Sequence, residues 1–318
     1  MDRTGITGQA TMIRYIGRRL LGSIPVLWGV ATVVFVVMRL LPGDPAALML
    51  AEAGGSPEAI ANLRAELGFD DPLPIQYGHY LLSLLRGDLG RSLFSHRPVI
   101  TVIAEQLPST ILLALASMLV ATTSGLVLGA LAAARRDTWL DTLAMAFAVS
   151  GVSIPIFGSS LLLIWLLSLR LGWLPATGQG TPAHLVMPAL VLGFASSGAI
   201  ARLVRSSLLD VLDQDYIRTA RAKGLQEGVV LLRHGLKNAL IPVITIIGLQ
   251  FGYLLGGTVV TETIFARQGI GRLVVDAILW KDFPVVQGVV LLAALVYTLV
   301  NLTVDVAYAY LDPRIHYD

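Results

Sequence analysis

The sequence contains no cysteine. Disulfides, thiol nucleophiles and Cys-ligated zinc are therefore excluded. Charge is nearly as scarce: Asp, Glu, Lys and Arg make up 14% of 318 residues, against 55% hydrophobic ones. A soluble domain covers its surface with charge, and this chain holds too little to do so. A G-x-x-x-x-G-K-[ST] phosphate loop is absent, as is an H-E-x-x-H zinc motif. The chain thus supplies neither a nucleotide's phosphate cradle nor a zincin site. Long apolar runs and a mean hydropathy of +0.74 place it among all-α polytopic membrane proteins. The net charge of +2 says little, because in such a chain the placement of charge matters more than its sum.

Taken in order, the apolar runs predict about six spans, at 16–41, 107–134, 140–169, 185–204, 239–260 and 285–308. The first run is longer than a signal-peptide core. It is followed by Arg39 and a Pro42-Gly43-Asp44-Pro45 turn rather than a small-residue cleavage site, so it reads as a retained span. The expected organisation is an N-terminal segment with the first span (1–45), an external helical subdomain (46–106) and a five-helix core (107–318) with a charged loop at 206–238. The subdomain is either a plain lid on the bundle or a docking surface. Within it, Ser56 is expected to cap a helix with Pro57 at its first position, and a second amphipathic helix to run over 75–85. Ser109 and Thr110, after Pro108, are expected to cap the second span, and Gly125 and Gly129 to let a neighbour approach it closely. Pro155 is expected to kink the third span. The cations Arg3, Arg14, Arg18, Arg19, Arg135, Arg136, Arg202, Arg205 and Arg314 join those of the charged loop on one side. Short loops on the other side hold Arg170, Arg267, Arg272 and Lys281. This bias places both termini in the cytoplasm.

The charged loop interrupts the apolar runs with Arg218, Arg221, Lys223, Arg233 and Lys237. Asp213 or Asp215 is expected to cap a short helix through Ala222, Gly224 to take a left-handed turn after it, and a second helix to begin near Gln226-Glu227. Ala220 and Ala222 are small enough for another surface to come close. A bent, polar helix pair joined rigidly to two spans can pass a push from a soluble partner into the membrane.

This loop resembles the EAA loop of ABC importer permeases, in the dipeptide/oligopeptide/nickel branch. That branch's loops follow D-Y-x-R-T-A-R-A-K-G-L and then R-H-x-L-x-N. Here they read Asp215, Tyr216, Arg218, Thr219, Ala220, Arg221, Ala222, Lys223, Gly224, Leu225, and then Arg233, His234, Leu236, Asn238. The generic Glu and first Ala of the motif are replaced, by Arg218 and Thr219. Further similarity lies in Gly87-Asp88-Leu89-Gly90-Arg91-Ser92-Leu93, in Leu171-Gly172-Trp173-Leu174-Pro175, and from Gln250-Phe251-Gly252 to Asp312-Pro313-Arg314. The resemblance implies a type I ABC importer permease core in a bacterial inner (plasma) membrane, lipid-embedded and importing di- or oligopeptides or a related small solute. Its partners would be a second homologous permease, ATP-binding subunits that hold the ATP and Mg, and an extracytoplasmic solute-binding protein. No nucleic acid is implied, and no cofactor, metal or catalytic residue in this chain. The ATPase-coupling residues would be Asp215, Tyr216, Arg218, Ala220, Arg221, Ala222, Lys223, Gly224, Leu225 and Glu227.

Gln250, Tyr253, Asn301 and Thr303 are candidates for the translocation path, or for interhelical hydrogen bonds. Gly248, Gly252 and Gly256 form a four-residue stripe that predicts close helix packing. A proton-coupled secondary transporter would need ionisable groups at mid-membrane, whereas Glu105, Glu262 and Asp305 fall near span ends. An intramembrane hydrolase would need His184 to meet Ser196 or Ser197, which lie at the opposite end of one predicted helix. A channel fits the composition but leaves the charged loop unexplained.

Overall fold

The computed structural model describes residues 4–40, 47, 50, 56–66 and 68–311, with the backbone alone for 4–16, 304–311, Leu63, Glu66 and Gly257. Helices dominate, as lipid requires of a chain that must satisfy its backbone internally. They are α1 (Thr4–Leu40), α2 (Pro57–Glu66), α3 (Leu73–Leu85), α4 (Val99–Ala134), α5 (Trp139–Ser153), α6 (Ile156–Leu163), α7 (Ala183–Leu212), α8 (Asp215–Ala222), α9 (Lys237–Ile264), α10 (Ile270–Leu279) and α11 (Phe283–Leu311). Two π-helical stretches extend them, Ile164–Arg170 after α6 and Val230–Leu236 before α9. Among the described residues, five helices are long and apolar enough to cross a membrane. A bent pair makes a sixth crossing if it is counted as one span.

That pair is α5 with α6, and it turns through 104°. The sequence predicts a kinked span here, but the break is complete. Ile154 precedes a proline and is extended (φ −87°, ψ 123°), and Pro155 stands as the N-cap of α6. Steric conflict with the proline ring drives the preceding residue out of the helical region.

A second difference lies in α4. The helix runs unbroken from Val99 and carries Pro108 inside it. Ser109 and Thr110 therefore cap nothing. Both are buried and turned toward the end of α9 and the segment after it. Other expectations hold. Ser56 Oγ accepts the Ala59 N–H at 3.2 Å, with Pro57 at the first position of α2. The second amphipathic helix, α3, starts at Leu73, because Pro72 serves as its N-cap and Pro74 suits its first turn. The turn expected at 42–45 lies outside the described residues.

The centre of the bundle is α7, between α4 and α5. Glycines set the spacing. A Cβ at Gly125 would lie 2.7 Å from Ile200, and one at Gly129 2.5 Å from the Ala201 carbonyl oxygen. From α7, a Cβ at Gly193 would meet Val120 at 2.5 Å, and one at Gly198 the Ala148 carbonyl oxygen at 2.4 Å. In lipid the association of helices rests on this kind of close van der Waals contact rather than on water exclusion. Gly198→Val is predicted to force α5 off α7 at a cost of about 1–3 kcal/mol, read as a lower melting midpoint of the purified protein in detergent. An unchanged midpoint would contradict this packing.

The glycine stripe of α9 behaves differently. Gly252 makes a tight approach, since a Cβ there would lie 3.1 Å from Tyr297 of α11, whereas Gly256 faces open space. The α10 end of the bundle has its own core, where Val99 and Ile103 of α4 meet Ile270, Ala277, Val285, Val286 and Val289. The other end is closed by Ala133, Leu208 and Ala239. The α8 element is attached there.

A candidate coupling site at the α8 end

The α8 element is built around a short amphipathic helix. Ile217 and Ala220 are buried on its inner face, against Val230 and Leu212. Gln214 is the N-cap and makes no side-chain cap bond. Asp213 and Asp215, expected as caps, are instead exposed, with Asp215 at the first helical position, where a carboxylate favours the dipole. The C-terminus closes as the sequence predicts. Gly224 takes φ +79°. Its N–H bonds to the Arg221 carbonyl at 2.9 Å, and the Leu225 N–H to that of Ala220 at 3.4 Å, the paired closure of a Schellman turn. No atom lies within 4 Å of a Cβ placed on Gly224, so only the backbone angle demands glycine there.

Beyond the turn, Gln226 caps the next helix and Glu227 begins it. Arg221 spans the corner in a fork with Glu227, at 3.1 and 2.6 Å. That bond is the main reason the Arg221 guanidinium is held above its ordinary pKa. Both side chains stay largely exposed, so the pair fixes geometry more than it adds stability. Tyr216 Oη accepts from Asn238 Nδ2 at 2.7 Å, which ties α8 to the first turn of α9. Gly235 is buried, and a Cβ there would meet Leu208 of α7 at 2.9 Å. The corner thus rests on α7 and runs without a break into α9.

Of the expected coupling residues, Ala220 is used up inside the element. Asp215, Tyr216, Arg218, Arg221, Ala222, Lys223, Gly224, Leu225 and Glu227 lie on its exposed surface. Leu225, Val229 and Leu232 add exposed apolar side chains beside the cations. A rigid corner with a mixed apolar and basic outer face is a shape suited to seating in a soluble partner.

The four candidates for the translocation path separate. Gln250 Nε2 donates to the Ser196 carbonyl at 3.1 Å, an interhelical bond. Thr303 Oγ1 donates within its own helix, to the Leu299 carbonyl at 2.8 Å. Asn301 is half-buried, and Tyr253 is exposed, at 63%. His184 Nδ1 pairs with Thr181 Oγ1 at 2.7 Å, while Ser197 Oγ bonds to the Phe194 carbonyl. Neither Ser196 nor Ser197 pairs with His184.

A polar knot at the α10 end was not foreseen from the sequence. Glu262 is fully buried. One carboxyl oxygen accepts from Thr110 Oγ1 at 2.7 Å, the other from the N–H groups of Gly271 and Arg272 at 2.8 and 3.2 Å. Thr110 Oγ1 in turn accepts the Ile270 N–H at 2.8 Å. Arg267 is buried beside it and donates to the His184 carbonyl and Ser109 Oγ, each at 3.3 Å. Burial pushes this guanidinium below its usual pKa, and Glu262 opposes that shift. Gly269 and Gly271 leave room for the carboxyl group, since a Cβ on Gly269 would sit 2.3 Å from it. The signal in the sequence was the juxtaposition of Glu262, Gly269 and Gly271. Its partner Thr110 stands 152 residues away.

Comparison with known proteins matches this architecture along most of its length. The family model described as "Binding-protein-dependent transport system inner membrane component" covers residues 125–317, and a second, for the N-terminal part of such membrane components, covers 12–114. The glutathione transport system permease protein GsiC of Salmonella typhimurium is 47% identical over 306 residues, 96% of this chain and 100% of that protein. Its counterpart in Escherichia coli K12 is 46% identical over the same length. Among solved structures, an inward-facing form of the MetNI methionine ABC transporter superposes with a TM-score of 0.58 at 18% identity, over 66% of this chain and 96% of that one. At that identity it speaks for the fold alone. The first match takes in the α8 corner, Glu262 with Gly269 and Gly271, and the approaches at Gly125, Gly129 and Gly198. The chain therefore belongs to the binding-protein-dependent transport system inner membrane components, the multi-pass permease subunits of ABC importers, which are not themselves enzymes and work with an ATPase, a substrate-binding protein and a second permease.

Proposed function

We propose that the chain forms half of a peptide-conducting pore and that its α8 corner seats in a groove of the ATPase. Both termini lie on the ATPase side, since the cations flanking the spans gather there. Arg218, Lys223, Tyr216 and Leu225 meet the ATPase directly. Arg221 and Glu227 hold the corner's angle, and Ala220 locks α8 to the next helix. The observation that carries this reading is the Schellman turn at Gly224, which makes the exposed corner rigid and continuous with α9. Movement of an ATPase groove would then tilt α9, with Tyr253 facing the path and Asn301 of α11 near it. Residues 46–106 act as a subdomain on the opposite side.

The cargo is a short peptide, and glutathione is the first to test, because relatives 46–47% identical along their whole length carry that name. Gly224 variants test the coupling. Asn tolerates φ > 0 better than a β-branched residue does. Gly224→Asn is therefore predicted to keep most ATP-dependent uptake, and Gly224→Val to lose at least about tenfold, a drop equivalent to 1.4 kcal/mol of coupling. Both should reach the membrane at normal levels, because the site has open space. Uptake of labelled glutathione and dipeptides is measured in cells expressing the chain with its partners. Normal uptake by Gly224→Val would overturn the coupling role, and dipeptide uptake without glutathione uptake would reassign the cargo.

A further inference from the structure

Helix α3 carries no Asp, Glu, Lys or Arg from Leu73 to Leu85. Its neighbour α2 has Glu58, Arg64 and Glu66 within ten residues. One face of α3 is accounted for. Tyr77 and Tyr80 pack their rings on Phe35 of α1, at centroid distances of 5.2 and 5.4 Å. Tyr77 Oη also lies 2.7 Å from Thr32 Oγ1. The other face is apolar too: Ile75, Leu82 and Leu85 sit close together around the helix and are exposed, Leu85 at 84%. Gln76, His79 and Ser83 form a polar strip between the two, so α3 is an amphipathic helix with an exposed apolar stripe, the form that lies flat in a membrane interface.

The contacts with α1 fix the depth of α3. The uncharged run of α1, residues 20–38, lies between Arg19 and Arg39. Its length of about 28 Å at 1.5 Å per residue matches a hydrocarbon core of about 30 Å. Phe35 and Thr32 therefore sit roughly 6 and 10 Å inside the boundary marked by Arg39. A tyrosine that hydrogen-bonds Thr32 and a second that stacks on Phe35 hold α3 level with the headgroup–acyl boundary. Arg39 stands at the same level, its guanidinium 5.2 Å from the Phe35 ring centre and 5.1 Å from that of Phe69. The exposed stripe of α3 thus continues the lipid-facing surface of α1, where Val33 and Val36 are exposed.

We propose that α3 lies in the membrane interface, in the leaflet at the Arg39 end of α1, with Ile75, Leu82 and Leu85 set among acyl chains. It is an interfacial anchor that holds residues 56–98 against the bilayer. The surface recognises lipid, not a protein partner.

The absence of cysteine makes the test direct. Leu82→Cys and Leu85→Cys are each spin-labelled in the chain assembled with its partners in phosphatidylglycerol/phosphatidylethanolamine nanodiscs. Collision with oxygen and with a water-soluble nickel chelate is compared with two references, Val33→Cys on the lipid-facing side of α1 and Glu58→Cys on α2. The expected result is oxygen-dominated relaxation at 82 and 85, close to position 33 and several-fold above position 58. Chelate-dominated relaxation like that at 58 would overturn the proposal. So would labels shielded from both agents in the full complex but open to the chelate without the substrate-binding protein, which would assign the face to that partner.

Discussion

Arg205→Ala is expected to destabilise the permease by about 3 kcal/mol, near the lower end of the range for breaking a buried ion pair. The reason lies in what stays behind. Arg205 near the end of α7 makes a two-point fork with Asp141 in the first turn of α5, Nε to Oδ1 at 2.7 Å and Nη2 to Oδ2 at 2.6 Å. The Asp141 side chain is 8% exposed and that of Arg205 30%. Removing the arginine leaves a buried carboxylate with one remaining partner, the Asp137 N–H at 3.2 Å. Removing the carboxylate frees an arginine that already touches water, so Asp141→Ala should cost less, about 1–2 kcal/mol. Arg205→Lys should fall between, because an ammonium cannot repeat the fork. The melting midpoint of the purified complex in detergent gives the order. If Asp141→Ala proved the more damaging of the two, the burial argument would fail. The α5–α7 contact also lies next to the proposed ATPase side, since Arg136 reaches Asp213 at 3.8 Å, just before α8. Arg205→Ala should therefore lower uptake beyond what its loss of folded protein explains.

Much of this architecture was legible because lipid imposes simple rules. Runs without charge had to be helices, and Gly125 and Gly129, four apart, had to mark an approach. The Gly224 turn could be read because few residues accept positive φ. What could not be read depended on partners distant in sequence. Pro108 looks like a helix start, yet Val99 begins the helix nine residues earlier and packs into the α10 core. Pro155 looks like a kink, yet the extended Ile154 beside it breaks the span outright. Ala220 looks like a contact for another protein and is taken by Ile217 and Val230 inside the element. Gly256 belongs to a packing motif but has nothing within 4 Å in this chain. In each case local chemistry named a possibility, and tertiary packing chose how it was used.

Glu262→Ala is expected to give the largest loss of any single change, at least about 4 kcal/mol, because several penalties fall together. Three donors lose their acceptor at once: the Thr110 hydroxyl and the N–H groups of Gly271 and Arg272. Each buried, unpaired donor costs about 1–3 kcal/mol. The deleted side chain also leaves a space bounded by Gly269 and Gly271, which have no side chains to fill it. Arg267 meanwhile loses the nearby negative charge that offsets its burial. Glu262→Gln separates these effects. Its amide keeps the volume and one acceptor, and it points an NH2 group either at Thr110 or at the two N–H donors. The expected cost is about half that of alanine. Thr110→Val deletes one hydroxyl at nearly constant shape and should cost about 1–3 kcal/mol, since the Ile270 N–H then loses its acceptor as well. Melting midpoints of the three variants, with trypsin cleavage at Arg267 and Arg272 as a local probe, distinguish a knot that holds α4, α9 and α10 together from a carboxylate that carries protons. A knot predicts that Glu262→Ala is the most severe and that Glu262→Gln and Thr110→Val are both milder but measurably destabilised, with cleavage rising in step. A proton carrier predicts normal midpoints, with uptake lost in both Glu262 variants. The buried, fully bonded carboxylate at the foot of α10 favours the first.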